Sequence, residues 1–197
     1  MRNFSFLICT IPFLSACGGS STNDLTSANF VSLDATAAFP NTLDSISSRI
    51  DSTSTDGNGF AFRIGVLDNQ LIAEAGILPT STVQNLPSAG TADFTGVAYA
   101  STYVDAEVVN GTLQGVDNTS VSSLTLTANF ETGALTGSNA DISVDGNFTA
   151  NDLSGTVTHD GMTASLTGLV GTDVVLGAFQ GKTEDSVIAG GFDLRNF

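Results

Sequence analysis

His159 is the one histidine of this 197-residue chain, and it sits beside Asp160, Gly161 and Met162. As a haem or metal ligand it needs partners, and the softer or phenolic side chains on offer are Met162, Tyr99 and Tyr103. With a single imidazole and no usable pair of thiols, the donors of a zinc site are missing, so the competing reading of His159 is a polar residue at a hairpin turn. Asp141, Asp145 and Asp152 offer oxygen for calcium, but their spacing does not match a calcium-binding loop, and solvated strand residues account for them better. Ser and Thr are plentiful. A nucleophile needs a base within reach and an oxyanion hole, and one turn histidine without a G-x-S-x-G elbow supplies neither. The expectation is a protein without catalytic, metal or cofactor residues. Tyr99 and Tyr103 share one face of a strand and are left as two candidate anchors for a partner protein, or as packing for the segment that precedes them.

The elements that position these residues are strands. In residues 120–197, Leu124, Leu126, Ala128 and Phe130 alternate with Thr125, Thr127 and Asn129, and Met162, Ala164, Leu166, Gly168 and Val170 repeat the pattern. Side chains of a strand point to opposite faces with period two, so each run has one apolar and one polar face. Eight strands are expected, at 91–104, 120–130, 133–139, 140–148, 152–159, 161–170, 173–182 and 187–195, with a further short strand over 107–114. Asp160-Gly161 marks a tight hairpin. Asp145-Gly146 is read as the interior of one strand, with Gly146 inward beneath a large neighbour. The inward set is Phe94, Leu126, Phe130, Leu135, Ile142, Val144, Phe148, Leu153, Val157, Leu166, Phe192 and Leu194, sharing its face with Gly146, Gly155, Gly168 and Gly190. The outward set is Thr, Ser, Asn and Asp, without the apolar band or aromatic girdles of a lipid-facing barrel. The fold class is therefore all-β: an eight-stranded antiparallel up-and-down barrel standing in water, whose closure removes exposed edges.

Ahead of the barrel, Phe60, Phe62, Ile64 and Val66 alternate along 59–67, and Asp68-Asn69 turns the chain into a returning strand at 70–77. Residues 79–90, with two prolines, form the boundary to the barrel. Further back, Asn41 or Thr42 is read as the cap of a short helix presenting Leu43, Ile46 and Ile50 on one face. Phe30, Val31 and Leu33 make a short strand or pack on the domain. The net charge of −15, from five Lys plus Arg against 20 Asp plus Glu, excludes nucleic acid, whose phosphates require clustered cations.

Residues 1–16 read as a targeting segment, with Arg2 as the positive region and an apolar stretch from Phe4 to Leu14. Leu14, Ser15, Ala16 and Cys17 resemble the lipobox of bacterial lipoproteins. That resemblance implies cleavage before Cys17, acylation of its thiol and new amine, and membrane attachment through several acyl chains, each buried methylene contributing about 0.8 kcal/mol. Cleavage also discards Cys9 and leaves no internal disulfide. Gly18 after the cysteine, where an Asp would favour inner-membrane retention, points to the outer membrane, periplasmic or surface-exposed. Residues 17–29 then form a flexible tether and 30–90 a hairpin or handle-like segment before the barrel at 91–197.

The runs at 124–130, 133–137, 153–158, 176–181 and 188–192, with their paired strands and recurring glycines, resemble the β-barrel domain of transferrin-binding protein B and related surface lipoproteins. The resemblance covers about 91–197 and implies a barrel beside a smaller handle, a lipidated cysteine and capture of a host iron carrier. This chain departs from the family in having one barrel and no second lobe, so architecture and location carry over and the partner does not. The function expected is a lipid-anchored lipoprotein binding a host or nutrient protein or a small ligand. The alternative is a structural or adhesive envelope lipoprotein with a filled barrel.

Overall fold

The structure is a computed structural model that describes residues 43–196. The lipobox, the tether, the run at 30–33 and the cap candidates at 41 and 42 lie outside the described residues. Every regular element among the described residues is a strand. Three of them, β1 (Ser45–Thr53), β2 (Gly59–Leu67) and β3 (Gln70–Ile77), form an antiparallel sheet in the order β1-β2-β3. The helix expected from Leu43, Ile46 and Ile50 is overturned, because this segment pairs with β2 from Ser45↔Val66 to Thr53↔Gly59. Its four serines favour helices poorly, and the ladder supplies backbone partners that a short isolated helix could not match.

The barrel consists of β4 (Thr91–Val109), β5 (Thr112–Asn129), β6 (Ala134–Ser138), β7 (Ile142–Thr149), β8 (Asp152–His159), β9 (Met162–Val170), β10 (Val174–Lys182) and β11 (Val187–Arg195). Each strand pairs with the next, and β11 pairs with β4 to close the circle. The fold class and the strand count are thus as expected, with one revision. Residues 105–119, taken as a break holding a short strand, continue β4 and β5 into one long hairpin, bulged between Val104 and Glu107 where Asp105 has φ 52°. At the other tight turn, Asp160 and Gly161 have φ 50° and 76°, both left-handed as a two-residue hairpin requires.

The register fixes the bore. Following partners from Thr127 through Thr136, Asp145, Thr156, Ser165, Gln180, Ala189 and Ser101 returns to β5 at Thr119, a shift of eight residues over eight strands. Eight strands with this shear leave an interior that side chains alone fill. The same slant sorts inward residues into layers drawn from alternate strands. Phe94, Leu135, Leu153 and Val175 make one, and Leu124, Val144, Leu166 and Phe192 another, all in one buried cluster. Between them lies a layer of four glycines, Gly96, Gly137, Gly155 and Gly177, where any Cβ would meet a neighbour at 2.1 to 2.3 Å. The predicted inward residues all belong to this interior, Phe130 at its margin. Gly146 lies beneath Leu153 as expected, its Cβ position 3.0 Å from Leu153 Cδ1.

The segment between β3 and β4 does more than mark a boundary. Leu86 packs against the barrel core and Asn151 Nδ2 donates to Gln84 O at 3.0 Å, so this linker crosses the lower end of the barrel.

Candidate functional site

Three features of the surface and rim stand out once the interior is accounted for. The first is the wall that the small sheet covers. Phe60, Phe62, Ile64 and Val66 of β2 pack on Ala178, Val187 and Ala189 of β10 and β11 and on Tyr103 and Leu113 of the long hairpin. Gln180 Oε1 accepts a hydrogen bond from Ala75 N at 2.5 Å, tying β3 to the same wall. Here most outward residues of β10 and β11, among them Val174, Leu176, Ala178, Val187 and Ala189, are apolar instead of polar. Their near-continuous apolar runs, such as Val174, Val175 and Leu176, were the sequence signal that both faces are buried.

Tyr99 and Tyr103 stand on this covered wall. Tyr103 is 8% exposed, and its hydroxyl donates to Ser47 O at 3.2 Å and to Asp117 Oδ2 at 3.3 Å. Burial, and then the Asp117 carboxylate, push its phenol up to about 12. The Tyr99 ring is half-buried, 6.0 Å from that of Phe60. It also lines an open groove of about 560 Å³ between β1 and the barrel, together with Ser52, Val97, Ser123, Asp193 and Arg195.

The second feature closes one end of that groove. Arg195 reaches from the last strand to the β1–β2 turn, its Nη1 2.5 Å from Asp56 Oδ2, while its Nε lies 2.8 Å from Asp193 Oδ1. Hydrogen bonding by Arg195, and secondarily by Ser54, holds the Asp56 carboxyl well below the usual carboxylate range. Because the folded value is depressed, this clamp stabilises the docked sheet at neutral pH and is lost as pH falls below the ordinary carboxylate value of about 3.9. The pair is partly exposed, so its worth is about 0.5–1 kcal/mol after solvent screening. Arg195→Met is expected to flatten the acid limb of thermal stability between neutral pH and pH ~3 relative to the wild type; an unchanged slope would remove the clamp as its cause.

The third feature is the upper rim, where the β4–β5, β6–β7, β8–β9 and β10–β11 connections meet. His159 is not a turn residue. It ends β8 facing inward, 3% exposed, and its Nδ1 donates to Asp141 O at 3.0 Å. That bond leaves Nε2 with Asp160 Oδ2 at 3.5 Å and no hydrogen-bond partner among the described residues. Thr102 Oγ1 and Ser120 Oγ are likewise buried without a partner, and their register places them facing inward at the same end. Each such group costs roughly 1–3 kcal/mol if kept dry, so three at one end is a local concentration of unspent polarity. Met162 stands opposite His159 in the β8–β9 ladder, whereas Tyr99 and Tyr103 lie on the outer wall and do not converge on it. Asp141, Asp145 and Asp152 are exposed and separate, and the described residues contain no group of three potential ligands. Around the rim stand Asp105, Glu107, Asp117, Asp141, Asp160, Glu184 and Asp185, all exposed, with Lys182 as the local cation.

No family model and no curated protein matches the chain. Solved structures do. A double mutant of transferrin binding protein B from Haemophilus parasuis Hp5 is 10% identical with a TM-score of 0.47, covering 76% of this chain and 36% of that one. A single mutant of the same protein is 13% identical with a TM-score of 0.49, over 75% and 35%. The apo haemoglobin receptor HpuA from Kingella denitrificans is 20% identical with a TM-score of 0.39, over 72% and 57%. The chain thus spans about a third of the first protein and under three-fifths of the second. Transferrin binding protein B, whose barrel domain the strand pattern resembles, is among these neighbours. The architecture itself stands on the pairing register.

Proposed function

We propose that this protein is a lipid-anchored bacterial surface lipoprotein that binds a partner protein on the outside of its barrel. The observation that carries the reading is the filled interior: with the layers of Phe, Leu and Val in place, the described residues leave no chamber for a small nutrient within the bore. Recognition then falls to the rim and the outer wall. The lipobox at Leu14, Ser15, Ala16 and Cys17 supports outer-membrane attachment, and the exposed Thr, Ser, Asn and Asp of β5 to β9 support a barrel bathed in water. Neither the rim nor the groove brings together a nucleophile, a base and an oxyanion hole, which favours binding over catalysis.

The test is capture on the full-length protein from growth medium or host fluid, with haem and metals assayed in the eluate. A specific stoichiometric protein supports the reading; none from a folded sample sinks it. A second reading, a structural or adhesive envelope lipoprotein, is favoured by the same filled bore and predicts that empty result. For the anchor, Cys17→Ala is expected to move the protein from the membrane to the soluble fraction and abolish fatty-acid labelling. Persistence in the membrane would exclude lipid attachment at Cys17.

A further inference from the structure

Strand β5 outruns the neighbour that should cover it. One edge pairs with β4 from Thr112 to Asn129, but β6 pairs with only Thr127, Ala128 and Asn129 on the other edge. Just above, Asn139 replaces a strand. Its Nδ2 donates to Ser123 O at 2.7 Å and to Ser122 Oγ at 3.0 Å, while its Oδ1 accepts from Asp141 N and Ile142 N. This contact also sets the phase of the ladder: Ser123 O points away from β4. In an antiparallel pair the backbone groups alternate, so those of Thr119 and Val121 point the same way. Among the described residues no strand pairs with them there.

Beyond the Asn139 contact, no described residue blunts this edge. Residues 114–119 are all exposed, and Val116 and Val121 are 56% and 60% exposed. Between 116 and 123 there is no Lys or Pro and one charge, Asp117. Native edges are ordinarily protected by such residues, by bulges or by a covering element, and a bare edge is a template for another strand. Ser120, whose buried hydroxyl lacks a partner, lies on this same stretch, and the buried unpartnered Thr102 hydroxyl faces inward beside it. The charges say what fits. Seven carboxylates stand on the rim connections against Lys182, and the chain as a whole carries −15, which repels a second copy and attracts a cationic segment.

We propose that the open edge of β5 is a strand-addition site for an extended, Lys- or Arg-rich segment of a partner protein. The proposal rests on the protein-binding reading above and names the surface and the chemistry of the partner. Backbone hydrogen bonds to Thr119 and Val121 supply affinity, and Val121 supplies the adjoining apolar contact.

The probes are two capped peptides of about ten residues, one alternating Lys and Val, the other Glu and Val. Each is titrated against the full-length protein in detergent. Val121→Pro removes an N–H on the open edge and keeps the bonds to β4. Val121→Lys keeps every backbone group and sets a like charge beside the basic peptide. The Lys peptide is expected to bind saturably and to weaken in high salt, with affinity about tenfold lower for the Glu peptide and for either variant. Thermal melting checks that both variants fold. No saturable binding of the Lys peptide, equal binding of the Glu peptide, or equal binding to both folded variants would overturn the proposal. So would a concentration-dependent dimer that Val121→Pro abolishes, since the edge would then serve self-association. If a captured partner binds both variants like the wild type, the edge proposal fails while the binding reading stands. If no partner is captured but the peptide results hold, the partner-protein reading fails, and with it the edge's role as a partner site, while its selectivity for a basic strand stands.

Discussion

Substituting Gly177 by Ala is expected to destabilise the barrel by about 1–3 kcal/mol, and most of that loss should vanish when Phe192 is also Ala. A Cβ on Gly177 would lie 2.1, 2.4 and 2.5 Å from three atoms of the Phe192 ring. The ring is fully buried and sits over the glycine that faces it across the β10–β11 ladder. Phe192→Ala alone is expected to cost about 3–5 kcal/mol, because it empties a close-packed layer. In the double variant the new methyl enters the space that the ring has left. The combined cost should therefore fall short of the sum by about 1–3 kcal/mol, readable as a coupling energy in urea unfolding at constant m. Additive costs would show that Phe192 does not fill the room above Gly177. Gly155 offers a contrast within the same layer: its Cβ would meet Asp145 O at 2.3 Å and Gly146 Cα at 2.6 Å, so no side-chain truncation can relieve it.

Phe60→Ala is expected to cost about 3–5 kcal/mol and to release the small sheet before the barrel opens. The Phe60 ring is fully buried and seats on Gly191, whose Cβ position lies 2.2 Å from Phe60 Cδ2. With Phe62 it is one of the two phenylalanines that β2 sets against the outer wall of the barrel, and Tyr99 packs beside it. Hydrogen exchange separates the outcomes. Amides of β2 and β3 should lose protection while those of β6 and β7, opposite β10 and β11 in the barrel order, keep it. Equal loss in both groups would mean that sheet and barrel open as one unit and that the docked wall is part of the barrel's own stability.

How much of this was legible follows from what each residue needs to know. In Ile142, Val144, Gly146 and Phe148 the inward phase could be read directly, because one face meets water and the other does not, and period two then appears in the chain itself. Asp160-Gly161 was legible for a similar reason: left-handed φ at both positions selects those residue types. Leu43, Ile46 and Ile50 misled, since their spacing suits a helical face while their pairing partner, β2, lies beyond a turn. The continuation of β4 and β5 through 105–119 was hidden because both faces of residues 114–119 are exposed, so no alternation marks them. His159 reads as a turn residue from its neighbour Asp160; its inward position depends on one step of register.

The sequence by itself determined the eight strands of the barrel short of the 105–119 extension, and the inward phase of most of them, because these follow from contrasts between adjacent side chains along a pleated backbone. It also carried the acidic composition and the run from Leu14 to Cys17 that resembles a lipobox, which are matters of composition and local motif. Only the tertiary structure decided the shear of eight, the glycine layer that it lines up, the wall claimed by β2 and the bare edge of β5. Each of these is a relation between segments distant in the chain. Closure sets which residues share a height, and the length of a neighbouring strand sets which backbone groups remain unpaired.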